Sequence, residues 1–163
     1  MSCDFSQFKK FADGLQRLEK TEMELFVQDC TRELAARLLA KVIKRTPVGD
    51  YKDGKMGGTL RRGWTASSSR EAELTATFGG GSGGAAYAKS LDISKIPGGY
   101  QIIVKNAVSY ASYVEYGHRT RGGKGWVNGQ FFLTISEQEL DRESQSILER
   151  KIDKKLREVF GGA

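Results

Sequence analysis

Apolar residues recur at spacings of three and four near both ends of the chain, and run together in short stretches between them. Behind Asp4, a residue type suited to cap a helix, Phe5, Phe8, Phe11, Leu15 and Leu18 keep helical spacing. Thr21 and Glu24 stand in the capping-box relation, which predicts a second, longer helix starting there. Along it Phe26, Cys30, Leu34, Leu38, Val42 and Ile43 share one side, with Arg32, Glu33, Arg37, Lys41 and Lys44 largely on the other. Thr46-Pro47 ends this helix, because the residue before proline is pushed out of helical geometry and proline donates no hydrogen bond. Towards the other end, Ile135, Leu140, Ile147, Leu148, Ile152, Leu156 and Val159 form one apolar stripe, predicting a helix over 132–160.

The middle reads differently. Residues 47–62 carry four glycines, four basic groups and few apolar residues, the composition of a long loop. Stretches 63–69 and 73–78 favour strand, anchored by Trp64, Leu74 and Phe78, and GGGSGG at 79–84 has linker composition. Strands are predicted again at 88–93 and 100–108, paired as a hairpin through a turn at Pro97-Gly98. Residues 110–116 suit one or two helical turns, and 117–129 form a second basic, glycine-rich loop. The predicted class is α+β, a long N-terminal helix and a C-terminal helix packed on one face of a small antiparallel β-sheet. Residues 1–163 are expected to be a single domain: helices in 4–45, a β-rich middle with long loops in 47–108, a short helix and basic loop in 109–130, and the last helix in 132–160. A chain of this length buries enough surface to need no disulfide or metal staple.

With 39% hydrophobic and 28% charged residues, the composition is that of a globular protein and not of a disordered one. No apolar run approaches the ~18 residues of a membrane span, and the first residues lack the basic-then-apolar signal pattern, so a cytosolic origin is expected. Cys3 and Cys30 are too far apart for a Cys-x-x-Cys motif and are expected to be free and reduced. His118 is the single histidine, leaving no His-rich ligand set, so neither metal nor cofactor is expected. Glu115 and His118 read as a surface ion pair before they read as an acid/base pair. The run 117–125 fails as a phosphate loop: Gly123 stands where the lysine is needed, and Gly125 where Ser or Thr should follow Lys124. No enzyme activity is expected.

The net charge is +6, and its basic excess sits in residues 47–130. Arg61, Arg62 and Trp64, then Arg119, Arg121, Lys124 and Trp126, interleave cations with aromatics. Nucleic-acid surfaces do this, and so do the anchors of protein interfaces.

Three blocks carry a more specific signal: KRTPVG at 44–49, GGTLRRGW at 57–64 and VKNAVSYASYVEYGHRTRGGKGWVNGQFFL at 104–133. Within them stand Thr46-Pro47-Val48, Thr59-Leu60-Arg61-Arg62-Gly63-Trp64, Asn106, Tyr110-Ala111-Ser112-Tyr113-Val114-Glu115-Tyr116-Gly117 and Gly125-Trp126-Val127, in that order. This series resembles the phage morphogenesis family of head-tail joining or tail-completion proteins, the gene-product-ten-like family of tailed phages. The resemblance implies a structural virion protein at the neck or upper end of a phage or phage-derived tail, acting by ring assembly and protein docking without enzyme activity or cofactor. It also implies a homo-oligomeric ring, six copies being expected, in contact with neck, tail-terminator, tube or sheath proteins. Nucleic acid would enter only as a genome passing through the ring, no membrane would be involved, and the particle would be assembled in the host bacterial cytoplasm. Arg61, Arg62, Tyr110, Tyr113, Tyr116, Arg119, Arg121, Lys124 and Trp126 are the expected docking residues, although the three tyrosines equally suit packing of a short helix on the sheet. Trp64 is expected in the core, Trp126 at an interface, and Glu115 paired with Arg61 or Arg62. Both basic loops are expected to order only on assembly, at a backbone cost of ~1–2 kcal/mol per residue. The alternative from another class is a small basic nucleic-acid-binding module, whose affinity would fall steeply with salt.

Overall fold

The structure, a computed structural model, describes residues 20–50, 57–66, 70, 72 and 91–160. The Phe5–Leu18 periodicity, the 73–78 strand, the GGGSGG run and Cys3 lie outside the described residues. Helix α1 spans Lys20–Arg45 and a single turn, α2, spans Thr59–Arg62. Strands β1 (Ile93–Ile96) and β2 (Gly99–Ile102) precede helix α3 (Ala111–Tyr116). Strands β3 (Gly117–Arg119) and β4 (Trp126–Asn128) lead into helix α4 (Phe132–Phe160).

The two long helices run antiparallel, and a ladder of ion pairs records their register. Arg45 meets Glu139 at 2.6 Å, Lys41 meets Glu143 at 2.9 Å, Lys151 meets Asp29 and Glu33 at 2.6 and 2.8 Å, and Lys155 meets Glu22 at 3.3 Å. Such half-exposed pairs contribute ~0–1 kcal/mol each, so they select the alignment more than they stabilise it. Stability comes from the core, where Leu39 and Val42 of α1 meet Leu60, Trp64, Ala66, Ala72, Val108 and Phe132. The Trp64 and Phe132 rings pack edge to face, 6.1 Å apart.

The apolar stripe expected along α4 is rotated from the buried one. Ile147 is buried, but Ile135, Ile152 and Leu156 are exposed, while Phe132 and Ser136 face inward. Ser136 is tolerated there because its hydroxyl donates to Phe132 O and accepts from Arg45 Nη1, so a polar residue fills a contact that an apolar count passes over. On α1 likewise, Cys30 and Val42 are buried as expected, yet Ala35 and Leu39 are more buried than Leu34 and Leu38.

The α+β class holds, with its β-structure divided into two separate antiparallel hairpins. In the first, which lies against α1, Ile93 faces Ile102 and Ile96 faces Gly99 across the expected Pro97-Gly98 turn. Gly98 has a φ of 87°, which glycine adopts without steric cost. The first strand is displaced from the expected 88–93, since 91–92 are not strand and 94–96 are, and the second is shorter than expected, since 103–108 are not strand. The strand expected at 63–69 is corrected over its described part: 59–62 is helical and 63–65 is a turn. Tertiary contacts override the local β preference there. Asn106 Nδ2 donates to Leu60 O, the Ala107 amide donates to Gly63 O, and a Cβ at Gly63 would collide with Asn106 Oδ1. The long loop expected over 47–62 therefore ends in a helical turn. The basic loop expected at 117–129 is in fact the second hairpin, with Gly117 opposite Asn128, His118 opposite Val127 and Arg119 opposite Trp126.

Candidate functional site

Two small hubs of hydrogen bonds hold the residues that sequence reasoning singled out. The first is Thr46, fully buried at the end of α1. Its hydroxyl donates to Val42 O at 2.6 Å and accepts from the Trp64 indole at 2.8 Å. Its carbonyl accepts from Arg61 Nε and Nη2 at 3.1 and 2.8 Å. Arg61 is thus engaged internally, fastening α2 to the C-terminus of α1, where a cation also suits the helix dipole. Trp64 is in the core, as expected, at 2% exposure.

The second hub is Glu115, buried within α3. Its carboxylate accepts from the backbone amides of Leu133 and Thr134, each at 2.9 Å, and from the Thr134 hydroxyl at 2.7 Å. It therefore caps the N-terminus of α4, satisfying amides that the helix leaves unpaired and placing a negative charge at the positive end of the dipole. Neither expected pairing of Glu115 occurs. Arg61 goes to Thr46, and His118 Nδ1 reaches Tyr113 O at 3.4 Å with its ring 5.8 Å from the Tyr113 ring. No local signal marks this cap, since the carboxylate reaches 18 residues along the chain.

The β3–β4 hairpin is clamped between the second hub and α4. Gln130 N donates to Val114 O and Phe131 N to Glu115 O, at 2.9 and 3.1 Å. At this base Gly117, with φ 86°, would bring a Cβ into Val127 O, and a Cβ at Gly129 would strike Glu115 O. At the tip Thr120 N donates to Gly125 O, Gly125 N to Thr120 Oγ1 and Gly123 N to Thr120 O.

Around the hairpin base the surface is aromatic. Tyr113, Tyr116 and Trp126 are each exposed by nearly 60%, and Tyr110, Val127 and Phe131 are exposed as well. Trp126 Nε1 lies over Gly117, next to Tyr116, and Phe131 is tied to Glu115. Arg119, opposite Trp126, and Arg121 and Lys124 are all exposed, while Arg62 is half-buried in α2. Six of the expected docking residues thus fall on one stretch, 113–126. Val127 and Phe131, exposed apolar residues in a glycine-punctuated segment, were not among the expected residues.

Elsewhere, burial pushes the Cys30 thiol above its ordinary pKa, so the free thiol is held protonated. Among the described residues no group of His, Cys, Asp and Glu is arranged to hold a metal ion, and no helix is long and apolar enough to cross a membrane.

Residues 9–117, more than half of the chain, match the family model described as "Bacteriophage HK97-gp10, putative tail-component". The chain belongs to this family, which places it among phage tail components with a structural role. Thr46 and Glu115 lie inside the matched stretch, whereas Arg119, Arg121, Lys124, Trp126 and α4, with Glu115's partners Leu133 and Thr134, follow it. No curated protein and no solved structure matches the chain.

Proposed function

We propose that this tail component sits at the neck or upper end of a phage or phage-derived tail and acts there by protein docking. Copies of the chain, each a single domain, form a ring, with six expected in a tail, and contact neighbouring neck, terminator, tube or sheath proteins. The observation that supports this reading most directly is the aromatic face around the hairpin base. Tyr113, Tyr116, Trp126 and Phe131 leave large rings in solvent on a frame that Glu115 holds in place. Exposed aromatics of this kind are the anchors of protein interfaces, and a clamped frame lowers the entropy lost when they are covered. Tyr110 and Arg62 complete the docking set, while Arg61 acts by holding α2 and the hairpin cations Arg119, Arg121 and Lys124 stand outside it.

The test is complementation of a particle lacking this protein with a variant carrying Tyr113→Ser, Tyr116→Ser and Trp126→Ser. The variant is expected to keep its melting temperature, because none of the three rings is in the core, and to be missing from purified tails. Variant protein in tails at wild-type copy number would overturn the assignment of this face.

A further inference from the structure

The tip of the β3–β4 hairpin differs in chemistry from the aromatic face behind it. Residues 119–125 read Arg-Thr-Arg-Gly-Gly-Lys-Gly, three cations with no carboxylate and no apolar side chain, and no Asp or Glu occurs anywhere in 117–130. Every residue of 119–125 is exposed. Lys41, Arg45, Lys95, Lys151 and Lys155 are each paired with a carboxylate. Among the described residues, Arg119, Arg121 and Lys124 have no such partner. A protein interface is built on a desolvated core with apolar and aromatic anchors; residues 120–125 carry none, the nearest being Trp126 opposite Arg119 at the base of the loop. What the tip offers is uncompensated positive charge on an open backbone: Gly122 and Gly123 have φ of 99° and 72°, and a Cβ at either would touch nothing.

The shape narrows the choice of polyanion. The major groove of B-form DNA, ~12 Å wide and ~8.5 Å deep, admits a two-stranded antiparallel ribbon. β3 and β4 form such a ribbon, with Arg119 on it and Arg121 and Lys124 in the loop it carries. The geometry points to duplex nucleic acid as the ligand of this tip, with Arg119, Arg121 and Lys124 binding phosphates on the two backbones that flank the groove. This inference does not rest on protein docking by the aromatic face, and either can fail alone.

The experiment is fluorescence anisotropy of a labelled 24-base-pair DNA duplex of mixed sequence, titrated with the full chain between 50 and 200 mM NaCl. Three phosphate contacts contribute about −2.7 to the slope of log K against log salt, a loss of ~40-fold over that range. Changing Arg119→Gln, Arg121→Gln and Lys124→Gln together should remove that contribution with the melting temperature unchanged, and each single change should remove about a third of it. Four results would overturn the proposal: no binding at 50 mM NaCl; an unaltered slope in the triple variant; tighter binding of a 24-residue oligothymidine than of the duplex; or competition by poly-L-glutamate equal to that by unlabelled duplex. The last would reassign the tip to an acidic protein surface.

Discussion

Alanine in place of Glu115 would strip three hydrogen bonds from the first turn of α4 at once. Loss of an ordinary N-cap acceptor costs ~0.5–2 kcal/mol. Here two backbone amides lose their partner together, along with the Thr134 hydroxyl, around a buried side chain that water replaces incompletely. The charge itself adds ~0.3–1 kcal/mol through the helix dipole, rising to ~2 kcal/mol in partly buried sites. The expected destabilisation for Glu115→Ala is therefore about 2–4 kcal/mol. Glu115→Gln keeps one acceptor oxygen and loses the charge, and should cost roughly half as much. Urea unfolding followed by circular dichroism at 222 nm reads both values, since α1 and α4 dominate that signal. A double-mutant cycle separates the cap from the ion pair that sequence reasoning suggested. Glu115→Ala with Thr134→Val should show coupling of ~0.5–1.5 kcal/mol, whereas Glu115→Ala with Arg61→Ala should be additive within ~0.5 kcal/mol. An alanine variant within ~0.5 kcal/mol of wild type, or stronger coupling to Arg61 than to Thr134, would refute the cap.

Two further outcomes concern the body of the protein. Trp64→Ala should cost ~3–5 kcal/mol, because it empties the core beside Phe132 and leaves the Thr46 hydroxyl without its donor; an unchanged melting temperature would reject this. Acid should weaken the α1–α4 ladder. The Lys151 and Arg37 hydrogen bonds hold the Glu33 carboxyl below its ordinary range, and the Arg45 hydrogen bond does the same for Glu139. Groups lowered in the folded state stabilise it fully above the unfolded pKa of ~4.3, and this is lost as pH falls through the lowered values. The melting temperature should therefore drop below about pH 5, and a Glu33→Gln, Glu139→Gln variant should drop less over the same interval, an equal drop counting against the ladder.

Where the chain's signals are local, they were legible in its sequence. Thr46-Pro47 stops α1, Pro97-Gly98 turns the first hairpin, and α4 covers 132–160 as its stripe predicts. The segments misread are those whose conformation depends on distant partners. Residues 63–65 look like strand until Gly63 is seen pressed against Asn106 and Trp64 bonded to Thr46. The second hairpin shows no alternation of apolar and polar positions, because both of its faces meet solvent. What closes it is the clamp from Val114 and Glu115 to Gln130 and Phe131, and the Thr120–Gly125 bonds at its tip. For the candidate surface, residue type was a good guide to the exposed aromatics and cations of 113–126. Type could not tell that Arg61 faces inward or that Glu115 serves α4, because both roles are set by backbone atoms far along the chain.

The clamp at the hairpin base makes the tip a replaceable cassette. The start of α4 is fixed by atoms of Val114 and Glu115 on one side and of Gln130 to Thr134 on the other, all below the strands. Residues inserted between Thr120 and Gly125 would lengthen a closed loop without moving either edge of its socket, and each doubling of loop length costs only ~0.6 kcal/mol. The protein can thus acquire a longer, shorter or differently charged finger while its two-helix body stays as it is. A body of one shape can in this way carry fingers of different reach and charge.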